Sequence, residues 1–348
     1  MSKHLPKAIS NTNVLIAILL VTAVGAALIA IIRIDHTSEK KSGLSPEFTY
    51  DISEKQTIDP KLIIAREIPR KIQTGFTLAR GIAIDNLSRI YVAGDKSIRI
   101  YDKNGTLISK IELSQSPQCL AIESNDIIYV GMQKHVEVYD RQGKKKSSWD
   151  SPGPQSVFTS IAVTESDVFV ADMGNRIVLR YDKSGSIKGN IGRKNPQRNI
   201  PGFVIPSPNF DLAMGFDGLL RVVNPGNHRI EAYTVNGDME FAWGKASYEV
   251  DGFCGCCNPA NFALLPDGSF VTCEKGLTRV KVYNSDGLFL GVVAGPEQFI
   301  EHDRVYGDKS SDSTYGSLDV AVDPQGRIHI LDPTNGEVRI FELINRNN

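Results

Sequence analysis

The sequence predicts an all-β fold, a six-bladed β-propeller closed by an N-terminal strand and preceded by one transmembrane helix, and three observations carry the propeller. An aromatic residue followed by a polar one recurs as Tyr101-Asp102, Tyr139-Asp140, Tyr181-Asp182, Tyr233-Thr234, Tyr283-Asn284 and Phe341-Glu342, at spacings of 38, 42, 52, 50 and 58 residues. A short apolar segment with alanine second recurs in phase with it, starting at Ile82, Leu120, Ile161, Leu212, Phe262 and Val320. The sixth unit stops near Leu343 after its third strand, which leaves one strand to be found elsewhere.

Each unit reads as four short antiparallel strands. The alanine-second segment suits the innermost strand, where six blades converge and a larger side chain has no room. A turn such as Pro266-Asp267-Gly268 leads to a β-branched and aromatic second strand, as in Ile90-Tyr91-Val92 or Phe169-Val170-Ala171. The third strand alternates, as in Ile98-Arg99-Ile100-Tyr101. A further turn, Asn104-Gly105, Ser184-Gly185, Asn236-Gly237 or Asp286-Gly287, opens the fourth. A sandwich does not require one strand pattern six times over. Lys61 to Ile68, an apolar-periodic stretch before the first unit, is expected to supply the missing strand and remove an exposed edge. The propeller then spans residues 60–346.

The segments Asp172-Met173-Gly174-Asn175-Arg176-Ile177 and Asn224-Pro225-Gly226-Asn227-His228-Arg229-Ile230 resemble the NHL repeat, and the resemblance covers about residues 60–346. It implies the same six-bladed propeller. The element Cys256-Cys257-Asn258-Pro259 is similar to one in bacterial NHL proteins, to which no reaction is attached.

Ahead of the propeller, residues 1–13 form a short tail, 14–34 a transmembrane helix and 35–59 a polar linker. Val14 to Ile32 contains one polar side chain, Thr22, and its helical length approaches the roughly 30 Å hydrocarbon core. A cleaved signal peptide is the competing reading, with small residues at Gly25, Ala26 and Ala27. Lys3 and Lys7 precede the span while Arg33, Lys40 and Lys41 follow it; the short basic tail favours a cytoplasmic N-terminus and a propeller on the extracytoplasmic, periplasmic side.

The net charge of -1 excludes a global basic field for nucleic acid, and Asp303, Asp308 and Asp312 oppose the local basic residues. Neither G-x-S-x-G, H-E-x-x-H nor a phosphate loop occurs. The longest insertions, Gly192 to Pro208, Gly244 to Pro259 and Gly295 to Ser317, are all crossings between blades and share one face. That face, with Arg193, Lys194, Arg198 and His302, is the expected surface for a protein or small-ligand partner.

Two constellations stand out on it. Cys254, Cys256 and Cys257 lie in one crossing, and counting back through the Pro266–Gly268 hairpin sets Asn261 opposite Cys273, so four sulfurs are expected to approach one another. Three readings stay open: zinc or iron–sulfur ligation, disulfide or redox thiols, and inert thiols. The second is the ring of residues just before each innermost strand, Gly81, Cys119, Ser160, Asp211, Asn261 and Asp319. Its oxygens suit calcium, as in metal-dependent lactonase and lyase propellers, or hydrogen bonds to strand ends. Of the histidines, His228 and His329 read as packing residues, while His135 and His302 fall on the candidate face. The function expected is a membrane-tethered binding or scaffold module. A thiolate redox or metal protein, and a metal-dependent hydrolase or lyase at the channel mouth, are the alternatives.

Overall fold

A computed structural model describes residues 21–22, 57–255, 257–299 and 317–344. Val21 and Thr22 are helical, and no helix among the described residues is long and apolar enough to cross a membrane. The rest of the expected span, and most of the linker, lie outside them.

Six four-stranded antiparallel sheets follow one another, each with its strands in nearest-neighbour order. Their innermost strands are Ala79–Ile84, Cys119–Ile122, Phe158–Val163, Leu212–Met214, Asn261–Leu264 and Asp319–Val322. The six second-position alanines, Ala83, Ala121, Ala162, Ala213, Ala263 and Ala321, all line a central channel. Small side chains there let six strands approach one axis.

The recurring aromatic-polar pair does two jobs. Tyr101, Tyr139, Tyr181, Tyr233, Tyr283 and Phe341 are all buried. The polar residue after several of them caps the turn to the fourth strand: Asp102 Oδ1 accepts from the Asn104 and Thr106 amides at 2.8 Å, and Asn284 Oδ1 from Asp286 and Leu288 at 3.0 and 2.8 Å. The glycines of those turns also fix the blade seams. Gly185 and Gly287 have φ of +90° and +81°, and a Cβ on either would meet a Trp ring of the preceding blade, Trp149 or Trp243, at 2.4 Å. The same rings stack on the buried tyrosines, Trp149 on Tyr181 at 5.1 Å and Trp243 on Tyr283 at 4.8 Å between centroids.

Closure comes from the N-terminal side, with a shifted boundary. The closing strand is Ala65–Gln73 rather than Lys61 to Ile68, and it pairs antiparallel with Glu337–Leu343, Ala65 opposite Leu343 and Gln73 opposite Glu337. Pro60–Leu62 is instead a 3-10 turn whose Lys61 amide donates to Asp59 Oδ1 at 2.9 Å. Ile64 bonds blade five, its amide donating to Val292 O at 2.9 Å. The strand runs on through Pro69 because it is outermost, with a ladder on one side only, and a register slip between Glu67 and Lys71 absorbs the missing N–H. Glu67 then pairs with Arg339 at 2.6 Å, tying the closing strand to the last one.

Candidate functional site

The central channel has a volume of about 840 Å³ and opens on the crossing face among Gln133, Met173, Pro208, Asn209, Ser317 and Pro333. The polar ring predicted from the sequence lies along it: Gly81, Cys119, Ser160, Asp211, Asn261 and Asp319 are all lining residues. Its side chains act mainly across the blade seams. Ser160 Oγ donates to Asp211 Oδ1 at 2.6 Å, joining blades three and four, and the Phe262 amide donates to Asp211 Oδ2 at 2.9 Å, joining four and five. Asn261 Nδ2 donates to Leu318 O at 2.7 Å and to Ser317 Oγ at 3.1 Å. The Ile82 amide donates to Asp319 Oδ2 at 3.0 Å, joining six to one. Four of the six seams are stapled at the ring.

The two carboxylates are enclosed by protein apart from the channel itself. Burial raises Asp211 to about 6, against the hydrogen bonds from Ser160, Phe262 and Leu212 that favour its charge. Burial, and next the charge of Asp211, raise Asp319 to about 7. The two charges oppose one another, so both carboxyls hold their protons to higher pH than an exposed aspartate does. Each carboxylate oxygen already accepts an N–H or O–H, so calcium would compete with the staples for them.

Arg80, one residue before the ring position of blade one, was not anticipated. It lines the channel at a β-bulge, where pairing with the second strand slips between Ala79 and Gly81. Its Nε is shielded from water and has no hydrogen-bond partner. The corresponding residues of the other blades are Gln118, Thr159, Phe210, Ala260 and Leu318, so a charged side chain at this position was the available signal.

The cysteine crossing is built on a buried charge cluster, also unforeseen. Lys281 Nζ donates to Val250 O at 3.0 Å and Gly252 O at 2.7 Å, holding the loop from below. Lys281 and Arg279 both pair with Glu274, the latter at 2.7 Å, and all three side chains are buried. Burial pulls Lys281 down to about 8, with Glu274 opposing. Cys254 Sγ donates to Glu274 Oε2 at 3.6 Å, Asn258 Nδ2 donates to Cys254 O at 2.7 Å, and the His228 ring contacts Gly255 O.

Cys254, Cys257 and Cys273 are buried, Cys273 lies opposite Asn261 as expected, and Cys256 and His302 lie outside the described residues. Burial raises the Cys254 thiol, Glu274 adding to it, and raises Cys273 well above the ordinary thiol range, Asp319 and Asp211 adding to it. Among the described residues no group of three or more His, Cys, Asp or Glu side chains is placed to hold a metal ion. Of the basic loop residues, Arg198 pairs with Asp238 of the blade-four turn, whereas Arg193 and Lys194 are exposed. His135 sits 3.4 Å from Glu137, and His329 is buried against Asp323 at 3.1 Å.

No family profile matches the chain, and no curated protein matches it in sequence. Solved structures do match. The virginiamycin B lyase of Staphylococcus aureus is similar with a TM-score of 0.54 at 12% identity, over 80% of this chain and 99% of that one. A Bacteroides thetaiotaomicron protein of unknown function gives 0.53 at 15%, over 76% and 69%. The WD40 β-propeller domain of Doa1 gives 0.51 at 14%, over 76% and 78%. At such identities the likeness shows the fold alone: the chain is a six-bladed β-propeller.

Proposed function

We propose that this NHL-type propeller is a binding module, tethered to the membrane by its N-terminal helix with the propeller on the extracytoplasmic side, that recognises its partner through the crossing-loop face. The observation that carries the reading is the division of labour on that face. The ring side chains are committed to stapling four seams, which makes a rigid rim, while Arg193 and Lys194 stand exposed on a long crossing beyond it. Rigid scaffolds with exposed loops are the usual arrangement for recognition.

The test is affinity capture with the full-length chain in detergent, wild type against Arg193→Glu/Lys194→Glu. Arg198 is left intact because it pairs with Asp238. Loss of at least one captured partner is expected; retention of every partner by the double variant overturns the reading.

A further inference from the structure

A guanidinium drawn partly out of water is best placed where its N–H groups meet acceptors, and half-buried Arg80, whose Nε is shielded from water, meets none among the described residues. Among the described residues lining the channel it is the only basic side chain and the only one with an orphaned, water-shielded polar atom. Burial lowers its pKa with no acidic neighbour to raise it, yet an arginine keeps its charge in a protein. The two carboxylates of the channel do not relieve it. Asp211 and Asp319 are engaged with Ser160 and with the amides of Leu212, Phe262, Ile82 and Val320. Blade one also contributes Gly81 to the ring, so no ring side chain stands beside Arg80 on its own strand.

We propose that the crossing-face mouth of the channel binds a small carboxylate-bearing molecule, with the Arg80 guanidinium as its counter-charge. This rests on the binding reading of the same face. The planar fork of arginine matches a carboxylate in two parallel hydrogen bonds. Gln118, Gln133 and Asn209 supply neutral amide groups to the same lining. A single negative charge suits the site better than a phosphate dianion, because Asp211 and Asp319 line the same channel.

The experiment uses the full-length chain in detergent, with acetate and benzoate as probes and chloride and phosphate at matched ionic strength as controls. Phenylglyoxal labels arginines, and mass spectrometry of the peptides reads Arg80 and the exposed Arg193 separately. Arg80 labelling is expected to slow about fourfold at a carboxylate concentration of roughly three times its Kd, with Arg193 unchanged. In parallel, the carboxylates raise the Tm of the wild type and not of Arg80→Gln, while Arg80→Lys keeps part of the effect. Without ligand, Arg80→Gln is expected to melt at or above the wild-type temperature, since it removes an unpaired, half-buried charge. Equal Tm shifts in wild type and Arg80→Gln overturn the proposal, as does equal protection by chloride and phosphate. Should Arg80 resist the reagent altogether, the Tm comparison decides alone. Unchanged partner capture by Arg80→Gln alongside lost carboxylate binding separates this site from the loop surface; the Arg193/Lys194 double variant tests that surface by itself.

Discussion

Asp319 and Asp323 lie four positions apart in blade six and respond to pH in opposite senses. Asp319, with Asp211, is raised in the folded protein above an ordinary carboxyl value near 4, so the folded state binds the extra proton. Its stabilisation is complete below the unfolded value and is lost as pH rises through about 6 and 7. At Asp323 burial acts upward, but the hydrogen bonds from His329 and Arg327 win and hold it at about 2. That contribution is present above the unfolded value and is lost as pH falls from about 4 toward 2. Urea unfolding is therefore expected to show greatest stability near pH 4, with a progressive decline from there to about pH 7 and a plateau above it. Asp319→Asn flattens the alkaline limb and leaves the acid limb; an unchanged alkaline limb would refute the assignment. At this scale the ring was legible because each member stands one residue before a recognisable strand. Its partners were not, since the bond from Ser160 to Asp211 exists only once the ring has curved. Arg80 escaped because a bulge, which leaves no mark in the apolar alternation, sets it in the channel.

At the scale of elements, the turn between the third and fourth strands is also a seam contact. Gly268 and Gly287 have similar φ, +84° and +81°, but a Cβ on Gly268 meets nothing within 4 Å, whereas one on Gly287 meets Trp243 at 2.4 Å. Gly268→Ala pays the left-handed backbone penalty alone, about 1–2 kcal/mol. Gly287→Ala adds overlap with Trp243, about 1–3 kcal/mol more. Calorimetry of the two variants isolates the seam, and equal Tm values would show that the Trp contact carries nothing. The turns themselves were readable from Asn-Gly, Ser-Gly and Asp-Gly pairs, because glycine and a capping oxygen are local requirements. What the turn touches is not local. For the same reason the closing strand was found but misplaced: Leu62, Ile63 and Ile64 are apolar, and only the fold shows that Ile64 bonds blade five before the ladder begins at Ala65.

For the molecule as a whole, closure rests on one antiparallel pair, Ala65–Gln73 with Glu337–Leu343, reinforced by Arg339 on Glu67 and by the Thr74 hydroxyl on Gly336 O at 2.6 Å. Removing residues 337–348 opens blade six and leaves two sheet edges unpaired. The truncated chain is expected to lose cooperative unfolding and to aggregate, read by calorimetry and light scattering; a single sharp transition at the wild-type temperature would show that the ring holds without its clasp. The six-unit count was legible because the repeat is strong, and the unfinished sixth unit pointed to a strand from elsewhere.

That clasp also sets a timetable. Gln73 meets Glu337, 264 residues further along the chain. At ribosomal speeds of about 5–20 residues per second, the segment made first waits roughly 13 to 53 s for its partner to be made. Throughout that interval five blades can assemble while residues 65–73 remain a lone strand. The newborn protein thus carries its own sticky end until Glu337–Leu343 has been made.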